Sequence, residues 1–184
     1  MVSAPYRSYV LVSREQIARN YRAVRAVVGP SVEVAAVVKA DAYGHGALEV
    51  SRVVTAEGAK WLAVSSVEEG ITLRRSGIAA RILVMGGFLP HEAEALTEFD
   101  LTPAVHSLEQ IAQVDRHSES TGKTTRYHLK IDSGMGRLGT REMCIRDRCC
   151  RVGWRPRRYP PGWRPFRPPK RRISRRLPFA APAA

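Results

Sequence analysis

The chain is 184 residues long and has no apolar run near the roughly 20 residues that a membrane-spanning helix requires. Its first residues, MVSAPYRSYV, lack the apolar core of a secretory signal, so a cytoplasmic location is expected and a membrane partner is not. Cysteine is missing from residues 1–142; all three, Cys144, Cys149 and Cys150, crowd into the last stretch. An odd, clustered set without a signal segment argues against a disulfide framework. That stretch has no histidine either, so no metal site is expected. Acid is equally scarce there, with Asp147 alone against 13 Lys/Arg in residues 143–184. Residues 1–142 hold 17 Lys/Arg against 16 Asp/Glu, so the formal charge of +13 belongs almost wholly to the tail.

What is present before that tail is a repeated unit. Short runs rich in Val, Ile and Leu lie at Val34–Val38, Trp61–Ser65, Ile82–Met85, Leu101–Val105 and Tyr127–Ile131. The first four are continuously apolar, as strands buried on both faces tend to be. Between them stand segments of helical period. Ser13–Gln16, Ser66–Glu69 and Ser107–Gln110 each fit the S-x-x-E/Q capping box. Gly29, Gly58 and Gly77 fall where left-handed caps would end the first three helices. The first helix puts Ile17, Tyr21, Val24 and Val28 on one face. Strand and helix alternating in this way predict an α/β fold of parallel (β/α) units. Periodicity leaves two closures open, a doubly wound sheet or a barrel, and five strands fall short of the eight of a full barrel.

After Glu142 the pattern stops. Eight of the 12 prolines lie in residues 143–184, and the apolar positions lose their period. The expected organisation is a (β/α) segment over 1–142 and a disordered Arg/Pro-rich tail over 143–184.

The sharpest chemical feature is VVKADAYGHG, residues 37–46. A buried strand delivers Lys39 at its C-terminal end, and a glycine-rich turn leads into a helix. Parallel α/β folds place their chemistry at that strand end, where loops and helix N-termini converge. A lysine leaving an apolar strand is expected to be partly desolvated, which frees its amine for imine formation. By position alone, a solvated lysine at a strand end is the commoner outcome.

The second feature is HLKIDSGMGRLG, residues 128–139. In a strand, His128, Lys130 and Asp132 share one face while Tyr127, Leu129 and Ile131 take the other. Three polar groups on one face of a buried strand suit a site, and an edge strand with one wet face suits them equally. Gly134, Gly136 and Gly139 also match the spacing of a dinucleotide fingerprint. That motif needs a following helix and a later acid, and the tail offers neither. Met85, closing the ILVM strand, reads first as a core residue and second as a pocket wall.

Both motifs resemble those of alanine racemases, the first over ten contiguous positions and the second as the HLKxDxGMGRLG signature. The resemblance implies a partial TIM-type (β/α) barrel and a pyridoxal 5'-phosphate cofactor. It implies that Lys39 carries the cofactor covalently and acts as one of two catalytic bases. Tyr43 would hydrogen-bond the cofactor phosphate. Arg137 would contact the cofactor's phenolic oxygen and bind the substrate carboxylate, a task suited to its forked, permanently charged guanidinium. Lys130 matches a lysine that is carbamylated in some members.

The implied reaction is interconversion of L- and D-alanine, supplying D-alanine for peptidoglycan, by a homodimer whose second base is a tyrosine on a later domain. That domain and the later barrel strands are absent from these residues, so the chain is expected to be an inactive N-terminal part. A racemase for serine or another small amino acid is the alternative within the class. The rival from another class is a nucleic-acid-binding protein working through its basic tail. Against it, arginine outnumbers lysine 12 to 1 in the tail, which begins inside a motif-bearing stretch. Met143–Arg148 also resembles a translated sequencing-adaptor string, so residues 143–184 are expected to be foreign to the racemase frame.

Overall fold

The structure is a computed structural model that describes residues 9–140. The chain divides into two units, Met1–Met143 and Cys144–Ala184, and every described residue belongs to the first. The tail expected to be disordered, its cysteines and the 142/143 boundary all lie outside the described residues.

The apolar runs pair in chain order. Strands β1 (Ala35–Val37), β2 (Trp61–Val64), β3 (Arg81–Val84), β4 (Leu101–Val105) and β5 (His128–Leu129) form one sheet. Their order is β1-β2-β3-β4-β5, and every neighbouring pair is parallel. A doubly wound sheet would reverse direction at a switch point. This one does not; it winds steadily one way, as a barrel does. The fold is therefore the first part of a (β/α) barrel. All five expected strands are present. The last is shorter than expected, because Ile131 is 67% exposed and joins Thr140 only through an isolated bridge.

Helices α1 (Arg14–Val28), α2 (Lys39–Gly44), α3 (Ala47–Ala56), α4 (Val67–Arg75), α5 (Ala93–Glu98) and α6 (Leu108–Thr121) fill the connections. The serine half of each expected capping box forms, whereas the reciprocal half does not: Glu69 and Gln110 accept the amide one residue before the N-cap, and Gln16 bonds Asn20. The Oγ atoms of Ser13, Ser66 and Ser107 accept the amides of Gln16, Glu69 and Gln110 at 3.2, 3.4 and 3.3 Å. Each such cap is worth about 1 kcal/mol. Gly29, Gly58 and Gly77 all have φ between 81° and 91°, which a side chain would resist.

Register divides the strand residues into two sets. Leu62, Val64, Ile82, Val84, Leu101 and Val105 are buried against Val67, Leu73, Leu96, Ile111 and Val114 of the helices. Burying each of these aliphatic side chains contributes about 1.5–3 kcal/mol. Of the stripe expected on α1, Tyr21 and Ile17 reach this core, but Val24 and Val28 remain half-exposed; the described residues cover only its first part. Residues of the other parity, among them Val37, Trp61 and His128, line the concave side of the sheet.

Candidate active site

Lys39 leaves β1 half-buried at the C-terminal rim of the sheet. The backbone then does something the sequence reading does not anticipate. Ala40, Asp41, Ala42 and Tyr43 all take left-handed helical angles, with φ of 50–56° and ψ of 38–52°. Four consecutive non-glycine residues in that region form a left-handed turn, at a cost of about 1–2 kcal/mol per residue. Such strain persists only where the surroundings over-determine it. Here Ala42 is buried and its amide donates to Val38 O at 2.9 Å. The Asp41 carboxylate accepts the Ala47 amide at 2.6 Å, at the start of α3, and Asp41 O accepts Gly46 N at 2.9 Å. The turn brings Tyr43 back over its own start, and the Lys39 amine lies 5.8 Å from the Tyr43 ring centroid. Among the described residues no carboxylate pairs with Lys39. The expected glycine-rich turn is present, with Gly44 and Gly46 at φ of 82° and 88°, and four non-glycine residues before it extend the left-handed stretch.

The rest of the rim is tied together by hydrogen bonds from strand end to strand end. Glu69 uses both carboxylate oxygens, accepting Ala40 N and Ser65 N at 2.7 Å each. Ser65 O accepts Gly86 N at 3.0 Å, and a Cβ on Gly86 would collide with that carbonyl. Met85, half-buried, lends its carbonyl to His106 Nε2 at 3.1 Å, so the imidazole proton sits on that nitrogen. His106 follows β4 as Lys130 follows β5, and Lys130 N donates to Val105 O at 2.9 Å. Burial, and then the Lys130 charge, hold His106 below its ordinary value of 6.5.

Beyond β5 the GMGRLG segment forms a closed loop. Thr140 N donates to Lys130 O, and Asp132 N to Thr140 O, both at 3.0 Å. The Asp132 carboxylate accepts Gly134 N and Gly136 N at 3.0 Å each. Asp132 therefore organises the loop. Gly139, at φ +106°, passes so close to Asp132 N and Lys130 O that no side chain fits. Arg137 and Lys130 are exposed, and His128 lies on the concave side against Trp61. Lys39 and Tyr43 are brought together, whereas Arg137 follows the opposite edge strand and no hydrogen bond, ion pair or ring contact joins it to them.

Residues 12–152 match the family described as alanine racemase, N-terminal domain. The chain belongs to the alanine racemase family. It is 44% identical over 135 residues to the alanine racemase of Synechocystis sp., covering 73% of this chain and 36% of that one. To the alanine racemase of Carboxydothermus hydrogenoformans it is 45% identical over 128 residues, covering 70% and 34%. The crystal structure of alanine racemase from a D-cycloserine-producing Streptomyces lavendulae superposes with a TM-score of 0.75 at 31% identity, over 82% of this chain and 39% of that one. The chain thus spans about a third of the length of the curated relatives it matches. The match runs ten residues past the composition boundary at 142.

Sequence reasoning missed two rim residues of this racemase-family chain. Glu69 is legible only as a helix cap. His106 carries the signal that singled out Lys39, a polar residue at the C-terminal end of a buried strand.

Proposed function

We propose that this chain is the pyridoxal-phosphate-binding part of an alanine racemase, with Lys39 as both attachment point and one of two acid–base groups. The observation that carries the reading is Lys39 itself, a half-buried amine at a strand end, without an acidic partner among the described residues and 5.8 Å from the Tyr43 ring. The donor set fits the cofactor: an amine for its aldehyde, a phenol for its phosphate, and a guanidinium for anionic oxygen. Bound there, pyridoxal 5'-phosphate supplies an electron sink for the pair left when the α-proton departs. Lys39 takes or returns that proton at Nζ on one face of the substrate. The Tyr43 hydroxyl donates to a phosphate oxygen. Arg137, on its loop, binds the alanine carboxylate through two parallel N–H donors.

Lys130 is proposed to be carbamylated, its amine adding carbon dioxide and releasing a proton. That change makes it an anion able to hold Arg137. Intact mass in alkaline bicarbonate would show the added carboxyl group. The opposite-face base is proposed to come from a later domain of a partner subunit, in a cytoplasmic homodimer that supplies D-alanine for peptidoglycan. The racemase segment is placed at residues 1–142 and the tail outside it. Among the described residues no helix is long and apolar enough to cross a membrane.

Incubation with pyridoxal phosphate followed by borohydride reduction tests the central claim. A pyridoxyl group on the Lys39 peptide, lost in Lys39→Ala, is the expected result. Label spread evenly over the exposed lysines would overturn it.

A further inference from the structure

The left-handed turn that presents Lys39 and Tyr43 needs something outside itself to hold it, and Glu69 is placed to do so. A capping-box glutamate ordinarily reaches back to the amide of its own N-cap residue, here Ser66. Glu69 instead spends one oxygen on Ser65 N and the other on Ala40 N, 29 residues away in sequence and the first peptide after the lysine. We propose that Glu69 is a positioning residue for Lys39, a two-acceptor brace that fixes the Lys39–Ala40 peptide to the end of β2 and so sets where the amine stands. This rests on the reading of Lys39 as the cofactor lysine.

The same fold contains an internal comparison. Gln110 occupies the equivalent capping position on α6. Its Oε1 accepts His106 N at 2.7 Å, the residue before the N-cap, just as Glu69 takes Ser65 N. Its other atom is a donor, and it meets an acceptor, Phe88 O, at 3.4 Å. The loop after β3 offers a carbonyl and is met by an amide group. The turn after β1 offers an N–H and is met by a carboxylate. The chemistry of each capping residue is matched to the neighbouring loop it reaches, beyond what helix capping requires.

Glu69→Gln separates the two roles. By the precedent of Gln110, the glutamine oxygen stays on Ser65 N, while Ser66 Oγ still caps α4. The amide NH2 then faces the Ala40 N–H, two donors against each other. The side chain is nearly isosteric, so the fold is retained. Ser66→Ala serves as the comparison, because it weakens the same helix start while leaving the carboxylate in place.

The test is amide exchange across residues 40–43 of the full chain, together with the rate of pyridoxyl labelling at Lys39. In Glu69→Gln, exchange is expected to speed up about tenfold and labelling to slow by about the same factor, with Ser66→Ala changing neither by more than about twofold. Exchange unchanged in Glu69→Gln overturns the brace. Faster exchange with unchanged labelling overturns its action on the lysine. Equal effects from Ser66→Ala reduce Glu69 to a cap and overturn the proposal. A parent chain that takes no label at Lys39 while the exchange difference persists refutes the cofactor reading and supports the brace.

Discussion

Trp61 on β2 and His128 on β5 meet edge to face, their ring centroids 5.4 Å apart and their planes at 68°. Two strands lie between them. In a flat sheet, three strand spacings of about 4.8 Å would separate their backbones by about 14 Å, so the contact requires the sheet to curl toward its concave side. Arg81 lies over the other part of this cluster, its guanidinium carbon 5.2 Å from the Trp61 ring.

A double-mutant cycle on Trp61→Leu and His128→Ala is expected to give a coupling of about 0.5–1.5 kcal/mol in urea unfolding, the usual range for aromatic pairs. Strict additivity of the two single changes would mean that the ring contact contributes nothing to stability.

Asp132→Ala removes the acceptor shared by Gly134 N and Gly136 N. Amide exchange at both glycines is expected to rise about tenfold, while the buried core amides hold their protection. Loss of protection throughout the core would show Asp132 to be a global stability determinant instead.

His106 is held below its ordinary value of 6.5, chiefly by burial. The unfolded chain therefore binds its proton first as pH falls. The stability linked to His106 is fully present above pH 6.5 and is lost as pH falls from there through the lowered folded value. His106→Gln is expected to flatten that part of the urea-midpoint curve relative to the parent. Parallel curves for the two proteins between about pH 7 and pH 4 would refute the assignment.

Ending the chain after Glu142 is expected to leave the urea-unfolding free energy of the (β/α) segment within about 0.5 kcal/mol of the parent. The same truncation lowers the formal charge from +13 to +1, so weak, salt-sensitive binding to nucleic acid should vanish with it. A large loss of stability would extend the racemase segment toward residue 152, where the family match ends.

Much of this was legible in one dimension. Buried parallel strands announce themselves as short Val/Ile/Leu runs, and serine caps three residues ahead of Glu or Gln mark helix starts, because both signals act within a few residues. The VVKADAYGHG and HLKIDSGMGRLG motifs identify the family for the same reason: chemistry at a strand end needs particular residues in a contiguous stretch. The strand order, the curl recorded by Trp61 and His128, and the joining of one rim from Ala40 to Lys130 were not legible, since they depend on partners 19 or more residues apart. The left-handed turn shows the division most clearly. Local preference alone would not keep Ala40, Asp41, Ala42 and Tyr43 at positive φ. The buried Ala42, the Asp41 cap on α3 and the Glu69 carboxylate hold them there, and those constraints exist only once β1, β2, α3 and α4 have packed.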